Sequence, residues 1–167
     1  APDLTTIEAL RDHPNIRDIH LWGGALNLEM DVLASLNSID TLAISTQSVD
    51  NFVTLGSLTS LQRLWLHGDL DSSQADQLWP LTNLKYLSIG WGTIEPTTIE
   101  HMVSTYSGQL ETAEFNYLTV DSLSLFLSFS NFRELTLNNS IVTDLSHIQM
   151  LKDAGITVNE HNNSASL

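Results

Sequence analysis

Six copies of one apolar spacing run along the chain, and they constrain its fold more than any other feature. Each copy has apolar residues at its first, fourth and sixth positions, and successive copies start 22 to 26 residues apart. The copies start at Ile16, Ile39, Leu61, Leu84, Leu110 and Phe132. A unit this short cannot bury its own apolar side, so the units must stack and share a core. The sequence therefore predicts a solenoid of about six repeats.

The last two apolar positions of each copy predict a β-strand, because residues two apart point to the same face of a strand. In the fourth copy, Leu87 and Ile89 face the core and Ser88 faces outward. Strands of neighbouring units then pair in parallel, about 4.8 Å apart. The outward positions form one exposed face of the sheet.

The segments that return from one strand to the next carry two kinds of signal. Apolar residues recur at every third position over 49–58, 120–129 and 142–151, which indicates 3₁₀ returns. Over 71–79 and 95–108, caps and stops predict short α-helices instead. In the first of these, Ser72 or Ser73 is the expected cap and Pro80 the stop.

These spacings resemble the leucine-rich repeats of the bacterial internalin and SDS22-like subclass, whose unit is 22 residues with a 3₁₀ return. The resemblance covers nearly the whole chain. It implies an α/β leucine-rich repeat solenoid, with one curved parallel β-sheet on the concave face and 3₁₀ and short α-helical returns on the convex face. In that family the usual role is to bind proteins. The chain has no cysteine, and the absence of Cys-rich caps favours a bacterial origin.

The chain departs from that family in the turn after each strand, where the usual asparagine is missing. The residues in its place are Gly24, Gln47, Asp69, Gly92, Leu118 and Ser140. The family's asparagine bonds backbone groups in the turn, so here those groups need other partners. We expect Gly24 and Gly92 to relax the turn, because glycine accepts positive φ.

The repeat frame predicts that residues 1–167 form a single domain. Residues 1–15 form an N-terminal half-repeat or cap, about six repeats follow from Ile16, and 152–167 form a last strand and a polar tail. The tail is expected to be frayed from Glu160 onward. No stretch approaches the roughly 18 apolar residues of a membrane span, so no membrane insertion is expected. The compartment stays open between secreted, periplasmic and cytoplasmic.

The charge of the chain restricts its partners. The formal net charge is −14 at pH 7, from 20 acidic and 6 basic residues. Nucleic acid and anionic membranes are therefore unfavourable partners, since binding phosphate needs cationic side chains. A basic protein is the natural complement, although acidic residues also simply keep a monomeric solenoid soluble.

The outward strand positions offer a candidate protein-binding site on the concave face. Exposed Trp, Tyr and Arg are the residues most enriched among interface anchors. The candidate residues are Trp65, Tyr86 and Arg63 as anchors, His67, Trp22 and His20 beside them, Trp91 at the loop edge, and Glu114 at the acidic end. The competing interpretation is that aromatic side chains on adjacent strands pack together and stabilise the sheet. Trp79, before Pro80 on a return, is expected in the core.

No motif indicates catalysis, a metal or a cofactor. His20 and His67 lie two strands apart, about 9.6 Å, which is too far to share a metal that each nitrogen must approach to about 2 Å. No nucleophile elbow or phosphate loop is present. The sequence therefore favours a non-enzymatic protein-binding module. The alternatives are an acidic inhibitor or immunity-type protein that neutralises a basic enzyme, and a structural segment of a larger repeat protein.

Overall fold

A computed structural model describes residues 6–21, 29–106, 108–162 and 164–165. The strands are β1 (Asp18–Leu21), β2 (Thr41–Ser45), β3 (Arg63–His67), β4 (Tyr86–Gly90), β5 (Thr112–Asn116), β6 (Thr119–Val120), β7 (Glu134–Asn138), β8 (Ile141–Val142), β9 (Thr157–His161) and β10 (Ser164–Ala165). Within the described ranges, seven of them form one parallel sheet in the order β1-β2-β3-β4-β5-β7-β9. The short strands β6, β8 and β10 form a second parallel sheet.

The predicted strands and their parallel pairing are confirmed. Leu64, Leu87 and Ala113 are direct partners on three neighbouring strands, and all three are fully buried. The second and third apolar positions of the other copies are buried in the same way, and together with the returns they form one continuous core. Because the side-chain period of a strand is two, this register sends the residues between them to the concave face.

The returns form α-helices in more units than the sequence predicts. They contain α1 (Met30–Ser35), α2 (Phe52–Gly56), α3 (Ser72–Asp76), α4 (Pro96–Thr105) and α5 (Ser146–Asp153), and a 3₁₀ helix at Ser124–Ser128. The 3₁₀ prediction is therefore confirmed after β5 but wrong for α2 and α5. The reason is that residues three apart share one face in both kinds of helix, so the spacing alone does not separate them.

Local hydrogen bonds determine where two of these helices start. The side chain of Asn51 accepts a hydrogen bond from the Thr54 N–H and caps α2. In α3 the cap is Asp71, not the expected Ser72 or Ser73: its carboxylate accepts from the Gln74 N–H, and the Gln74 side chain accepts from the Asp71 N–H. This reciprocal pair is a capping box, which satisfies two backbone donors at once.

The two ends of the repeat array have the following structure. At the start, the expected half-repeat or cap contains a 3₁₀ turn at Glu8–Leu10, followed by Arg11, which pairs with Glu8 and Asp31. At the far end, the expectation of a frayed tail is wrong for residues 160–162 and 164–165, whereas residues 163, 166 and 167 lie outside the described residues. Strand β9 continues to His161 and pairs with β7, and the Lys152 ammonium lies 2.8 Å from the Glu160 carboxylate.

The turns that follow the strands use left-handed backbone one residue earlier than the sequence suggests. The residue directly after a strand has positive φ at Gly68, Trp91, Tyr117, Asn139 and Asn162. We call these positions the strand-end turns. The glycine expected to relax such a turn comes one residue later, at Gly92, so that explanation is wrong for Gly92. The same expectation for Gly24 lies outside the described residues.

Gly92 is instead required by a close approach of two backbones. A Cβ at this position would lie 2.0 Å from the carbonyl carbon of Gly68. The backbone groups of the turns find other partners than an asparagine side chain. The Trp91 N–H donates to the Asn116 carbonyl and the Tyr117 N–H to the Asn138 carbonyl, at 3.0 and 2.9 Å. The sheet's hydrogen-bond pattern thus extends one residue into each of these turns.

Candidate functional site

Trp65 lies at the centre of the concave face because the neighbouring strands place small residues on either side of it. Its direct partners are Ala43 on β2 and Ser88 on β4, and both are fully buried. The indole is itself half-buried. Its ring centroid lies 4.6 Å from that of Tyr86 and 5.7 Å from that of His20, which is two strands away. The side chains therefore make one aromatic surface across four strands.

A hydrogen-bond network holds Tyr86 in this surface. The Tyr86 hydroxyl donates to the Glu114 carboxylate, and Asn138 Nδ2 donates to the other Glu114 oxygen at 2.8 Å. Asn138 Nδ2 also donates to Asn116 Oδ1, and Asn116 Nδ2 donates to Ser88 Oγ. Burial and the adjacent Glu114 charge raise the pKa of Tyr86 well above its usual value. The hydroxyl therefore stays protonated and acts as a hydrogen-bond donor.

Glu114 has a different environment from the solvent-facing acidic end that the sequence suggests. It is half-buried, and each of its two carboxylate oxygens accepts a hydrogen bond. Farther along the sheet, Glu134 accepts a hydrogen bond from Asn159. Both carboxylates are thus tied to neighbouring strands.

Arg63 lies beside the aromatic surface and is exposed. It is the register partner of Tyr86, and both residues line an open groove of about 530 Å³ at the edge where the strands begin. Lys85 and Glu111 form an ion pair in the same groove. Within the described ranges, Arg63 and Arg133 form no ion pair, whereas the other four basic residues do. Arg63 is therefore the cation that a ligand on this face meets.

His67 and Trp91 belong to a second aromatic cluster, at the edge where the strands end. Their ring centroids are 4.3 Å apart, and the Trp91 ring lies 5.7 Å from that of Tyr117. Trp91 is 50% exposed and Tyr117 55%. Burial lowers the pKa of His67, and the charge of Glu114 opposes that shift. Tyr117 has the same offset from its repeat start as Trp91.

The other two tryptophans of the chain are Trp22 and Trp79. Trp22 lies outside the described residues. The prediction that Trp79 is in the core is wrong, because its side chain is 47% exposed. Leu78 and Leu81 fill the core on either side of it, and the indole packs edge-on against His101, with centroids 4.9 Å apart.

The remaining chemistry of the chain is limited in the part that the structure describes. His20 Nε2 lies 2.9 Å from the Asp18 carboxylate, so this imidazole is oriented by its own strand. Among the described residues, no group of three or more His, Asp or Glu side chains is placed to hold a metal ion. No helix within those ranges is long and apolar enough to cross a membrane.

The parallel sheet with one strand per unit and helical returns defines a leucine-rich repeat solenoid. No protein-family model matches the sequence, and neither does any curated protein. Among solved structures, the chain is similar to internalin C2 from Listeria monocytogenes, with 27% identity, a TM-score of 0.61 and coverage of 97% of this chain. It is also similar to internalin InlF from the same organism, with 18% identity, a TM-score of 0.59 and coverage of 87%.

These comparisons show that the protein has an internalin-like leucine-rich repeat fold. The likeness to InlF concerns the fold alone, since identity is low. The chain spans 66% of the internalin C2 structure and 42% of the InlF structure.

Proposed function

We propose that the protein is a non-enzymatic binding module that docks a partner protein on its concave face, with Trp65 as the central anchor. The observation that carries this proposal is the continuous aromatic surface of His20, Trp65 and Tyr86 on the outward side of the sheet. Arg63 extends the surface toward the strand-start edge. Trp, Tyr and Arg in a half-desolvated cluster are the usual composition of a binding hot spot.

The details of the cluster favour binding over sheet stabilisation. Trp65 lies between Ala43 and Ser88 in the sheet register, and both of these small residues are fully buried. Tyr86 is fixed by Glu114, so little side-chain entropy is lost when a partner covers it. An anchor that is already ordered before binding contributes more affinity than a mobile one.

The test compares tryptophans on opposite faces of the molecule. With a partner captured by the wild-type protein, Trp65→Ala should weaken binding by at least about 2 kcal/mol, or roughly thirtyfold. Trp79→Ala is the matched control, because Trp79 is an exposed tryptophan on the convex side. It should bind like wild type. Circular dichroism checks that both variants are folded. Full affinity of Trp65→Ala with loss in Trp79→Ala would place the site on the convex face and refute the proposal.

A second candidate is an acidic protein that neutralises a basic enzyme. The net charge of −14 favours it, as does the pairing of four of the six basic residues with carboxylates. Such a complex should associate more slowly as salt increases, because the Debye length is about 8 Å at physiological ionic strength and shortens further above it. An association rate that is the same at low and high salt would exclude this candidate and leave the aromatic anchor.

A further inference from the structure

The strand-end turns carry two aromatic residues where the same chain elsewhere uses glycine or asparagine. The equivalent positions are Gly68, Trp91, Tyr117, Asn139 and Asn162. Glycine and asparagine adopt left-handed backbone with little cost, and bulky side chains do not. Trp91 and Tyr117 nonetheless both have a φ of 59°. Their backbone is therefore less favourable than that of their counterparts.

Burial in the core does not account for these two residues. Half or more of each side chain is exposed, and the ring contacts of Tyr117 are limited to Trp91 in the described part of the chain. Residues held in sparsely populated backbone regions tend to occur where function requires them. The aromatic pair therefore indicates a role outside the stability of the fold.

The charges of the molecule are distributed unevenly about this pair. Four of the six basic residues lie within two residues of a repeat start, at the opposite edge of the sheet. These are Arg17, Arg63, Lys85 and Arg133. In the described positions one and two residues after each strand of the main sheet, there is no lysine or arginine, and Asp69 is the only charged side chain. A cation thus meets no repulsion from a basic side chain at the strand-end edge.

The aromatic rings of Trp91 and Tyr117 are suited to binding a cation. The faces of Trp and Tyr attract a cation that lies within about 6 Å of the ring centroid. The two rings are 5.7 Å apart, so one cationic side chain can reach both. Beside Trp91, burial lowers the pKa of His67, which keeps that imidazole neutral near pH 7. A cationic side chain that approaches the pair therefore meets no positive charge on His67.

We propose that Trp91 and Tyr117 form a second contact site, which receives an arginine or lysine side chain from a basic segment of a partner protein. The proposal rests on the proposed function only in taking the partner to be a protein. The net charge of −14 makes a basic segment the complementary occupant. A neutral ligand that stacks on the rings, such as a proline-rich peptide or a carbohydrate, would not depend on the positive charge.

The first test uses two short peptides on the intact protein in physiological salt. One is acetyl-Gly-Arg-Gly-Arg-Gly-amide, and the other replaces each arginine by citrulline, which keeps the shape but removes the charge. The indole N–H signals of the tryptophans are followed by NMR. The arginine peptide should shift the Trp91 signal saturably and leave the signal of Trp79, which is similarly exposed, in place. Equal effects of the two peptides, equal shifts of the two tryptophans, or no shift at all would overturn the proposal.

The second test uses Tyr117→Asn and Trp91→Asn, because Asn139 and Asn162 show that asparagine suits this turn. The double variant should bind the arginine peptide at least about fivefold more weakly. Trp65→Ala should bind it like wild type. The reverse pattern, loss in Trp65→Ala with full binding by the double variant, would overturn the second site while supporting the concave one.

The stability of Tyr117→Asn separates a binding role from a structural one. If the ring serves binding, asparagine should raise the melting temperature, because it relieves the left-handed strain and removes only one ring contact. A lower melting temperature would mean that the ring stabilises the turn, and the proposal would lose its main support.

Discussion

Glu114 illustrates how a charged residue on a binding face can act within the protein. Its two oxygens accept hydrogen bonds from Tyr86 and Asn138, which lie on the strands to either side of it. The carboxylate therefore orders the aromatic surface, in addition to contributing negative charge. Its effect on binding should pass through the position of the Tyr86 ring.

This geometry predicts different kinetic effects for two carboxylates of the same face. Glu114→Gln weakens a charge-assisted hydrogen bond and loosens Tyr86, so it should speed dissociation of the partner about fivefold, for a loss near 1 kcal/mol. Glu134→Gln is the control, because Glu134 accepts a hydrogen bond from Asn159 and, among the described residues, from none of the aromatic anchors. It should alter mainly the association rate. Surface plasmon resonance separates the two rates, and equal dissociation rates for both variants would contradict the role of Glu114.

The lowered pKa of His67 predicts how the stability of the fold depends on pH. Burial lowers its pKa below the ordinary value of 6.5, so the folded protein prefers the neutral imidazole. Below about pH 6.5 the unfolded chain binds a proton more readily than the folded protein does. The stability contributed by the neutral form is therefore present above that pH and is lost as the pH falls toward the folded pKa.

The measurement is the urea midpoint at pH 7.5 and at pH 5. It should fall on acidification, and it should fall less in His67→Phe, which keeps a ring against Trp91 but cannot titrate. The same decline in both proteins would show that other groups determine the acid sensitivity.

At the scale of single elements, the turns after the strands determine how closely the units approach. Gly92 lies against the backbone of Gly68, and Ser140, at the equivalent position two units later, is fully buried and accepts a hydrogen bond from the Leu118 N–H. The same repeat position is therefore accommodated in two ways. At Gly92 the backbones pack closely, and at Ser140 the side chain forms a hydrogen bond. Neither uses the asparagine that the resemblance leads one to expect.

A valine should therefore destabilise the fold by different amounts at Gly92 and at Ser140. Gly92→Val should destabilise the fold by more than about 3 kcal/mol, since the clash is with backbone that cannot rotate away. Ser140→Val should cost about 1–3 kcal/mol, because it leaves the Leu118 N–H without its acceptor. Chemical denaturation of both variants gives the comparison. Equal midpoints would mean that the turn at Gly92 can open to admit a side chain.

The sequence predicts the strands better than the returns, and the reason is physical. A strand face is determined by alternation, so Leu87 and Ile89 could be assigned to the core directly. In the returns, spacing by three suits both 3₁₀ and α geometry, and the choice depends on caps such as Asn51. Trp79 was misplaced because hydrophobicity alone does not reveal that Leu78 and Leu81 already fill the core beside it.

In the candidate site too, one part could be predicted from the sequence and another could not. Outward positions follow from the strand register, so Arg63, Trp65 and Tyr86 were correctly placed on one face. The contacts among side chains could not be predicted, because they depend on what the neighbouring strands leave open. Glu114 and Asn138 meet only through the register of β5 and β7, and left-handed φ at Trp91 contradicts its residue preference.

At the scale of the whole molecule, each unit is buried only by its neighbours. The core runs without interruption from Ile7 to Ile156 in the described residues. In such an array, stability is approximately the sum of the repeats and the interfaces between them. A defect in a central unit damages two interfaces, so it should affect the entire array.

Leu87 lies in the middle strand of the main sheet, is fully buried, and pairs with Leu64 and Ala113 on either side. Leu87→Ala should lower the free energy of unfolding by about 2–5 kcal/mol, the range for a buried leucine whose cavity cannot collapse. Leu145→Ala is the matched control, because Leu145 is 49% exposed at the start of α5. It should change stability by less than about 0.5 kcal/mol. Urea unfolding followed by circular dichroism measures both. If the two variants lose the same stability, the central core does not couple the units. If Leu87→Ala instead unfolds in two separate steps, the halves on either side of β4 fold independently, and the array is not one cooperative unit.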